Sequence, residues 1–207
     1  MADTVDFIRD NPTFHGVHWC SALEVSLRLI AWAWLWECTR EAALWTPGRI
    51  RELAGAIWRH AEYVRRHLSR FSSANNHLIG EATGLVVAGC SFAGLSESRR
   101  WLEMGVSTLE RELLRQTSAE GCTREQSWRY LVFVLELSGT AGACCRAFGR
   151  PLSGNFDDRL LDIVKFLRFV SGSPAVVPHI GDADDGHVPG AGPDPGANES
   201  SLRAAEC

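Results

Sequence analysis

The sequence predicts an all-α protein, built as an incomplete α/α toroid of helical hairpins. Apolar residues recur at helical spacing in six long segments, and no segment shows the alternation of a convincing strand. Segments that are apolar on every side alternate with amphipathic ones, as the inner and outer helices of such a ring do. One pair takes about fifty residues, which is nearer the larger helical-pair repeats than a tetratricopeptide array. Three such pairs form only part of a ring.

Residues 1–18 are polar and interrupted by Asn11-Pro12, so we expect a lead-in segment before the helices. The first helix is predicted over residues 19–39. Its centre, residues 29–36, is apolar on all sides, which indicates burial among other helices. That apolar run is too short to predict a membrane span.

The second helix, over residues 49–70, carries a single apolar stripe, and arginine-rich sequence covers the rest of its surface. It is therefore expected to be an outer helix. The third, over residues 75–88, has almost no charge and repeats Gly80, Gly84 and Ala88 at every fourth position. Such a smooth face lets another helix pack closely, which predicts an inner helix.

The fourth helix, over residues 97–117, is amphipathic and is expected on the outside. The fifth is expected over residues 123–148, with Thr123 as its N-cap, and the mostly apolar surface beyond its first turn indicates an inner helix. The sixth, over residues 155–171, carries one apolar stripe and completes the third hairpin.

After the last helix the composition changes. Residues 173–187 hold a short apolar piece and an acidic turn, which lacks the spacing and the distal Glu of a calcium loop, so no metal site is predicted. Residues 188–207 are rich in Pro, Gly, Ala and Ser, which predicts a disordered tail.

The overall composition excludes several classes of function. The 207 residues are 45% hydrophobic with a net charge of −4, and basic and acidic residues are interspersed, so no nucleic-acid partner is expected. Seven cysteines form no CxxC pair, which fits neither a zinc framework nor a disulfide scaffold. The chain as given begins without the pattern of a signal peptide.

Two polar stations begin inner helices. Asn75, Asn76 and His77 start the third helix, and either Ser73 or Asn75 can cap it. The free N–H groups and the helix dipole there favour an anion such as a ligand carboxylate. The alternative is that Asn75 only caps the helix and His77 makes a structural contact. Gln126 and Tyr130 form the second station, and because neighbouring inner helices run parallel, Asn76, His77 and Tyr130 are expected to converge on one rim.

An Asn/His/Tyr set suits β-elimination from a uronic acid. The amide and the imidazole neutralise the sugar carboxylate, a tyrosine or histidine removes the α-proton, and a tyrosine protonates the leaving oxygen. That chemistry needs no metal and no organic cofactor. An α/α-barrel glycosidase is the other enzyme class considered, but Glu24, Glu81 and Glu125 show no spacing that singles out a facing pair.

Four motifs in sequence order carry a family resemblance. They are Asn11-Pro12…Gly16-Val17-His18-Trp19…Leu23-Glu24-Val25…Arg28, then Asn75-Asn76-His77-Leu78…Glu81, then Glu125-Gln126-Ser127…Tyr130, and finally Ile180-Gly181-Asp182…Asp184-Asp185-Gly186. Together they span about residues 7–187 and resemble the heparinase II/III-like polysaccharide lyases, the superfamily that also holds oligoalginate lyases. The resemblance implies an incomplete α/α toroid followed by a C-terminal β-sandwich, and we expect the β-sandwich to be absent from this chain.

The resemblance also implies roles for individual residues. Asn76 would neutralise the substrate carboxylate, His77 would assist it or abstract the proton, and Tyr130 would be the general acid and also a candidate base. The residues implied to bind substrate or support the cleft are Trp19, Glu24, Arg28, Glu81 and Gln126. Glu24 and Arg28 are four residues apart, so a plain structural pair is the alternative interpretation of those two.

The implied substrate is an acidic polysaccharide: a heparan- or heparin-like glycan, a chondroitin-like glycan or alginate. Such substrates imply a periplasmic or secreted location. Leu131 departs from the family, which often has histidine after the tyrosine. Family members are much longer, so we expect this chain to be a fragment. The competing hypothesis is a non-catalytic helical remnant that binds a glycan or another partner.

Overall fold

The computed structural model describes residues 2–71, 74–172 and 178–182. Over that part of the chain the fold is all-α, as predicted, with seven α-helices and no strand. The helices are α1 (Ala2–Asp10), α2 (Ala22–Thr39), α3 (Pro47–Arg66), α4 (Asn76–Ser91), α5 (Ser98–Gln116), α6 (Trp128–Ala147) and α7 (Gly154–Ser171). A 3₁₀ turn, Val17–Trp19, precedes α2.

The helices form inner and outer layers. Helix α4 packs against α2, α5 and α6, and almost all of its residues are buried. Helix α3 packs on α2, α5 on α4 and α7 on α6, so each inner helix has an outer partner. This is the arrangement of hairpins in an arc of an α/α toroid, and it confirms the alternation that the sequence predicts.

Inner helices α2 and α4 run in the same direction. Leu23 of α2 lies against Gly80 of α4, and one turn further along Ser26 lies against Gly84. A Cβ atom on Gly84 would lie only 2.7 Å from the Cβ of Ser26, so a larger residue at this position would push the helices apart. The repeat of small residues therefore provides the smooth face that the sequence predicts.

Inner helices α4 and α6 are also parallel. Asn76 at the start of α4 is bonded to Glu125 just before α6, and further along the hydroxyl of Thr83 donates to the carbonyl oxygen of Leu137 at 3.3 Å. The first turns of α2, α4 and α6 thus lie on one side of the arc, the N-terminal rim, and their last turns lie on the other, the C-terminal rim. Outer helix α7 starts at the C-terminal rim, where Phe156 contacts Gly142 of α6.

The largest differences from the sequence prediction are one additional helix and one helix start. Within the predicted lead-in segment, residues 2–10 form helix α1, in which Val5 is buried and Arg9 is paired with Glu52 of α3 at 2.9 Å. The predicted start of the fifth helix at Thr123 is wrong, because α6 begins at Trp128.

Two expectations fall largely beyond the described residues. Of the expected acidic turn, residues 173–187, the structure describes only 178–182, and the expected disordered tail, residues 188–207, lies outside the described residues. In the part of the chain that is described, no helix combines the length and apolar character that crossing a bilayer requires.

Candidate functional site

A carboxylate joins the starts of two inner helices on the N-terminal rim. Glu125 accepts the backbone N–H of Asn76 at 2.9 Å and the side-chain amide of the same residue at 2.8 Å. Asn76 is buried, and its position as the first residue of α4 places the carboxylate at the positive end of the helix dipole. These two bonds fix the plane of the Asn76 amide and tie α4 to the segment that leads into α6.

Asn75 and His77, on either side of Asn76, differ in their contacts. The side-chain oxygen of Asn75 accepts the backbone N–H of His77 at 3.0 Å, so Asn75 is the N-cap that the sequence predicts. The imidazole of His77 is exposed and lines a cavity described below. Ser73, the other predicted cap, lies outside the described residues.

Tyr130 lies in the first turn of α6, close to an acidic side chain. Ser127 caps this helix, with its hydroxyl accepting the backbone N–H of Tyr130 at 3.2 Å. The same hydroxyl donates to the carbonyl oxygen of Asp182 at 2.5 Å. The phenol O–H of Tyr130 lies 3.4 Å from a carboxylate oxygen of Asp182. The segment around Asp182 therefore packs directly on the helix start that carries Tyr130.

Backbone geometry explains why α6 starts later than predicted. Gln126 has a φ of 53°, in the left-handed region, so a helix beginning at Thr123 cannot continue through it. Its carbonyl oxygen would lie 2.4 Å from a Cβ atom on Gly181, whose own φ is 73°. Only glycine at position 181 lets the two segments approach this closely. Gln126 is thus an exposed loop residue on the N-terminal rim and not part of the helix face that carries Tyr130.

Arg28 is held beneath the rim by groups other than Glu24. Its Nε donates to Nε2 of His60 at 3.4 Å, and its Nη2 donates to the carbonyl oxygen of His18. Its guanidinium carbon lies 5.9 Å from the ring centre of Trp19, which is itself buried. Although burial lowers the pKa of Arg28, that of an arginine remains far above neutrality. Glu24 is exposed, and its charge acts to raise the pKa of Arg28, but the groups that bond the guanidinium are His60 and the carbonyl oxygen of His18.

His60 supports Arg28 and is not among the residues that the sequence predicts for the site. Burial and the charge of Arg28 lower its pKa to about 3, so the ring is neutral at pH 7. Its Nδ1–H donates to the carbonyl oxygen of Ala56 at 2.8 Å, and Nε2 is therefore the acceptor for Arg28. The available signal was a histidine within the apolar stripe of the second helix.

Glu81 lies fully buried below the N-terminal rim. Its two carboxylate oxygens accept the backbone N–H and the hydroxyl of Ser69, at 2.6 and 2.7 Å. Burial raises the pKa of Glu81, and the two bonds from Ser69 oppose that shift. Glu81 therefore anchors the connection between α3 and α4 from within.

A cavity of about 570 Å³ opens on the N-terminal rim. It lies between the residues that lead into α2, the last turn of α3 and the start of α4. The residues that line it are Cys20, Ser21, Ala22, Tyr63, His67, Ser69, Asn75 and His77. Of the predicted catalytic set it contains His77, whereas Asn76 is bonded to Glu125 and Tyr130 lies beside Asp182. Among the described residues no group of three His, Cys, Asp or Glu side chains could hold a metal ion.

Comparison with known proteins gives a consistent result. The family model described as "Heparinase II/III N-terminus" matches residues 2–179. A heparin-sulfate lyase from Pedobacter heparinus is 30% identical over 92 residues, which are 44% of this chain and 14% of that protein.

Solved structures share the fold. The crystal structure of a heparinase III superposes with a TM-score of 0.71 at 19% identity, over 82% of this chain and 26% of that one. Heparan sulfate lyase HepC from P. heparinus gives a TM-score of 0.67 at 23% identity, over 84% of this chain and 28% of that one. The match thus spans about a seventh to a quarter of the length of these proteins.

Proposed function

The chain belongs to the heparinase II/III N-terminal family, and from that premise we propose that it carries part of the active site of a polysaccharide lyase. The substrate is a glycan that contains uronic acid, cleaved by β-elimination. Relatives named heparin-sulfate and heparan sulfate lyase favour a heparin- or heparan-type substrate over the chondroitin-like and alginate alternatives. Such a glycan lies outside the cytoplasm, so we expect a periplasmic or secreted protein.

One observation carries this proposal: the two hydrogen bonds between Asn76 and Glu125. A primary amide has two N–H groups, and Glu125 takes one of them. With the amide plane fixed, the second N–H is the donor we assign to the substrate carboxylate. A fixed donor of this kind stabilises the charge that develops on the carboxylate as the α-proton leaves. The same clamp supports placing Asn76 and Tyr130 on one rim.

The reaction assigned to this rim is a proton transfer coupled to loss of a glycosidic oxygen. The C–H bond alpha to the carboxylate and the bond to the leaving oxygen both break, and a carbon–carbon double bond forms. His77 or Tyr130 takes the proton, and the phenol O–H of Tyr130 protonates the leaving oxygen. Asp182, 3.4 Å from that phenol, would orient it. These steps need no metal and no organic cofactor.

The remaining predicted residues are proposed to bind or support. Glu24 and Gln126 are exposed on the N-terminal rim, where they can contact sugar hydroxyls. Trp19, Arg28 and Glu81 are more deeply placed, and we assign them to holding the rim in shape.

The proposal is tested on the complete product of the gene that encodes this chain. Formation of the unsaturated uronate is followed by its ultraviolet absorbance. Heparan sulfate, chondroitin sulfate and alginate are compared as substrates. Tyr130→Phe is expected to abolish the signal while leaving the circular dichroism spectrum and melting temperature unchanged, because only the phenol O–H is lost. Full activity of that variant would remove Tyr130 from the mechanism.

Two other outcomes would select other functions. Saturated reducing ends without new absorbance would indicate a glycosidase. Binding of an acidic oligosaccharide without cleavage, weakened by Asn76→Ala, would indicate the non-catalytic remnant.

A further inference from the structure

The cavity on the N-terminal rim has features that the elimination step does not use. At about 570 Å³ it is within the range of pockets that hold small ligands. Three elements contribute its wall, and His77 belongs to it, so it adjoins the residues assigned to catalysis. The question is which part of a glycan chain it would hold.

One wall of the cavity is an aromatic pair. The rings of Tyr63 and His67, one turn apart at the end of α3, are stacked with their centres 4.2 Å apart and their planes at 24°. The phenol of Tyr63 donates to the carbonyl oxygen of Trp19 at 2.5 Å, which holds the pair against the segment before α2. A fixed aromatic surface of this kind suits the apolar face of a sugar ring.

The polar groups of the cavity suit an anionic substituent. Nδ1 of His67 lies 2.8 Å from the carbonyl oxygen of Tyr63, so Nδ1 carries a proton and donates to that oxygen. The second ring nitrogen, Nε2, is therefore an acceptor in the neutral ring, and only the imidazolium form of His67 presents an N–H there. Exposed His77 lines the same cavity. The hydroxyls of Ser21 and Ser69 add polar surface between them.

We propose that this cavity is a subsite for the sugar adjacent to the cleaved uronate, in which Tyr63 and His67 hold the ring and His67 binds an anionic oxygen. The inference rests on the proposed function for the identity of the ligand. The anionic group is a sulfate on that sugar or, because uronate and hexosamine alternate in a heparan-type chain, the carboxylate of the uronate beyond it. His67 is here a binding residue and takes no part in the proton transfer.

The first test is calorimetric titration of the chain with two size-matched tetrasaccharides, one from heparan sulfate and one from its unsulfated precursor polysaccharide. His67→Gln is expected to weaken binding of the preferred tetrasaccharide roughly 3- to 10-fold, the effect of losing one hydrogen bond. The control is His15→Gln, because His15 is also exposed and bonds its own Nδ1 to a carbonyl oxygen, that of Thr13, outside the cavity. A larger effect with the sulfated ligand would identify sulfate as the bound group, and equal effects would identify the carboxylate.

The second test uses a cysteine inside the cavity. Cys20 lines it, and Cys38 in the last turn of α2 is also free and exposed but lies at the C-terminal rim. A bound tetrasaccharide is expected to slow alkylation of Cys20 by iodoacetamide at least threefold and to leave Cys38 unchanged, as followed by peptide mass spectrometry.

The results of these tests distinguish failure of the subsite from failure of the proposed function. If the tetrasaccharides bind and Asn76→Ala weakens them, but Cys20 is unprotected and His67→Gln binds like His15→Gln, the subsite is wrong and the proposed function stands. If neither tetrasaccharide binds the chain, the subsite is wrong, and the ultraviolet assay on the complete gene product decides the proposed function separately.

Discussion

The two rims of the arc are built by the same three inner helices, yet their chemistry differs. At the N-terminal rim, a carboxylate and an amide join α4 to the segment before α6. At the C-terminal rim, the corresponding contact is made by thiols: Cys90 of α4 hydrogen-bonds with Cys144 and Cys145 of α6. The bond to Cys144 and burial raise the pKa of Cys90 to about 12, so this cysteine is neutral at pH 7.

The direction of the backbone accounts for that difference. Helix starts present N–H groups and partial positive charge, and helix ends present carbonyl oxygens and partial negative charge. Within the inner ring, an acidic glycan is therefore favoured at the helix starts and disfavoured at the helix ends. Glu125 already exploits this preference within the protein. Since the parallel inner helices put all their starts on one side, the inner ring has one side suited to anions.

The sharpest test of the contrast compares two asparagines in first turns on opposite rims. Asn76→Ala is expected to lower the elimination rate roughly 10²- to 10³-fold, the effect of removing one preorganised donor. The control is Asn155→Ala, because Asn155 is an exposed residue in the first turn of α7, at the C-terminal rim. Steady-state kinetics on the complete gene product measures both. Equal losses in the two variants would mean that the rims do not differ in function.

A smaller effect is expected at Glu125, which we assign to positioning Asn76. In Glu125→Gln only one acceptor oxygen remains, so the side chain can accept the backbone N–H or the side-chain N–H of Asn76 but not both. The elimination rate should therefore fall roughly tenfold, which corresponds to about 1.4 kcal/mol of activation free energy. Glu41→Gln is the control, since that side chain is 93% exposed just beyond α2 at the C-terminal rim.

A double variant separates positioning from a general loss of stability. If Glu125 acts through Asn76, Asn76→Ala combined with Glu125→Gln should be no slower than Asn76→Ala alone. Multiplicative losses in the double variant would contradict the positioning role, and the melting temperatures of all three variants would report any effect on folding.

The local sequence pattern predicts the inner and outer layers of the fold but not every helix boundary. The periodicity of apolar residues identified six of the seven helices because it records which face is buried. Helix α1 was missed among polar residues, although Val5 and Ile8, both facing the core, carried a short helical signal. Thr123 resembles a helix cap in the sequence. The helix cannot start there because Gly181 packs on Gln126, and this contact across 55 residues leaves no local pattern.

The same limit applies to the candidate site. Asn75 was predicted as a cap because capping is local, and this is confirmed. The sequence indicates Glu125 as a glycosidase candidate and as part of the third motif, but it does not predict the bonds to Asn76, because they span 49 residues. The cavity was missed because Tyr63 and His67 belong to an outer helix, whose polar residues resembled an ordinary solvated face.

The smallest effect is expected from the C-terminal rim itself. The thiol of Cys144 is half-buried and hydrogen-bonds with Cys90, which lowers the pKa of Cys144. In Cys144→Ser a hydroxyl can keep that bond, so urea unfolding should show a loss of only about 0.5–1 kcal/mol. The elimination rate should stay within twofold, because the substitution lies at the far ends of the helices that carry Asn76 and Tyr130. A tenfold loss of rate at unchanged stability would show that the two rims are coupled, and the assignment of function to helix starts alone would fail.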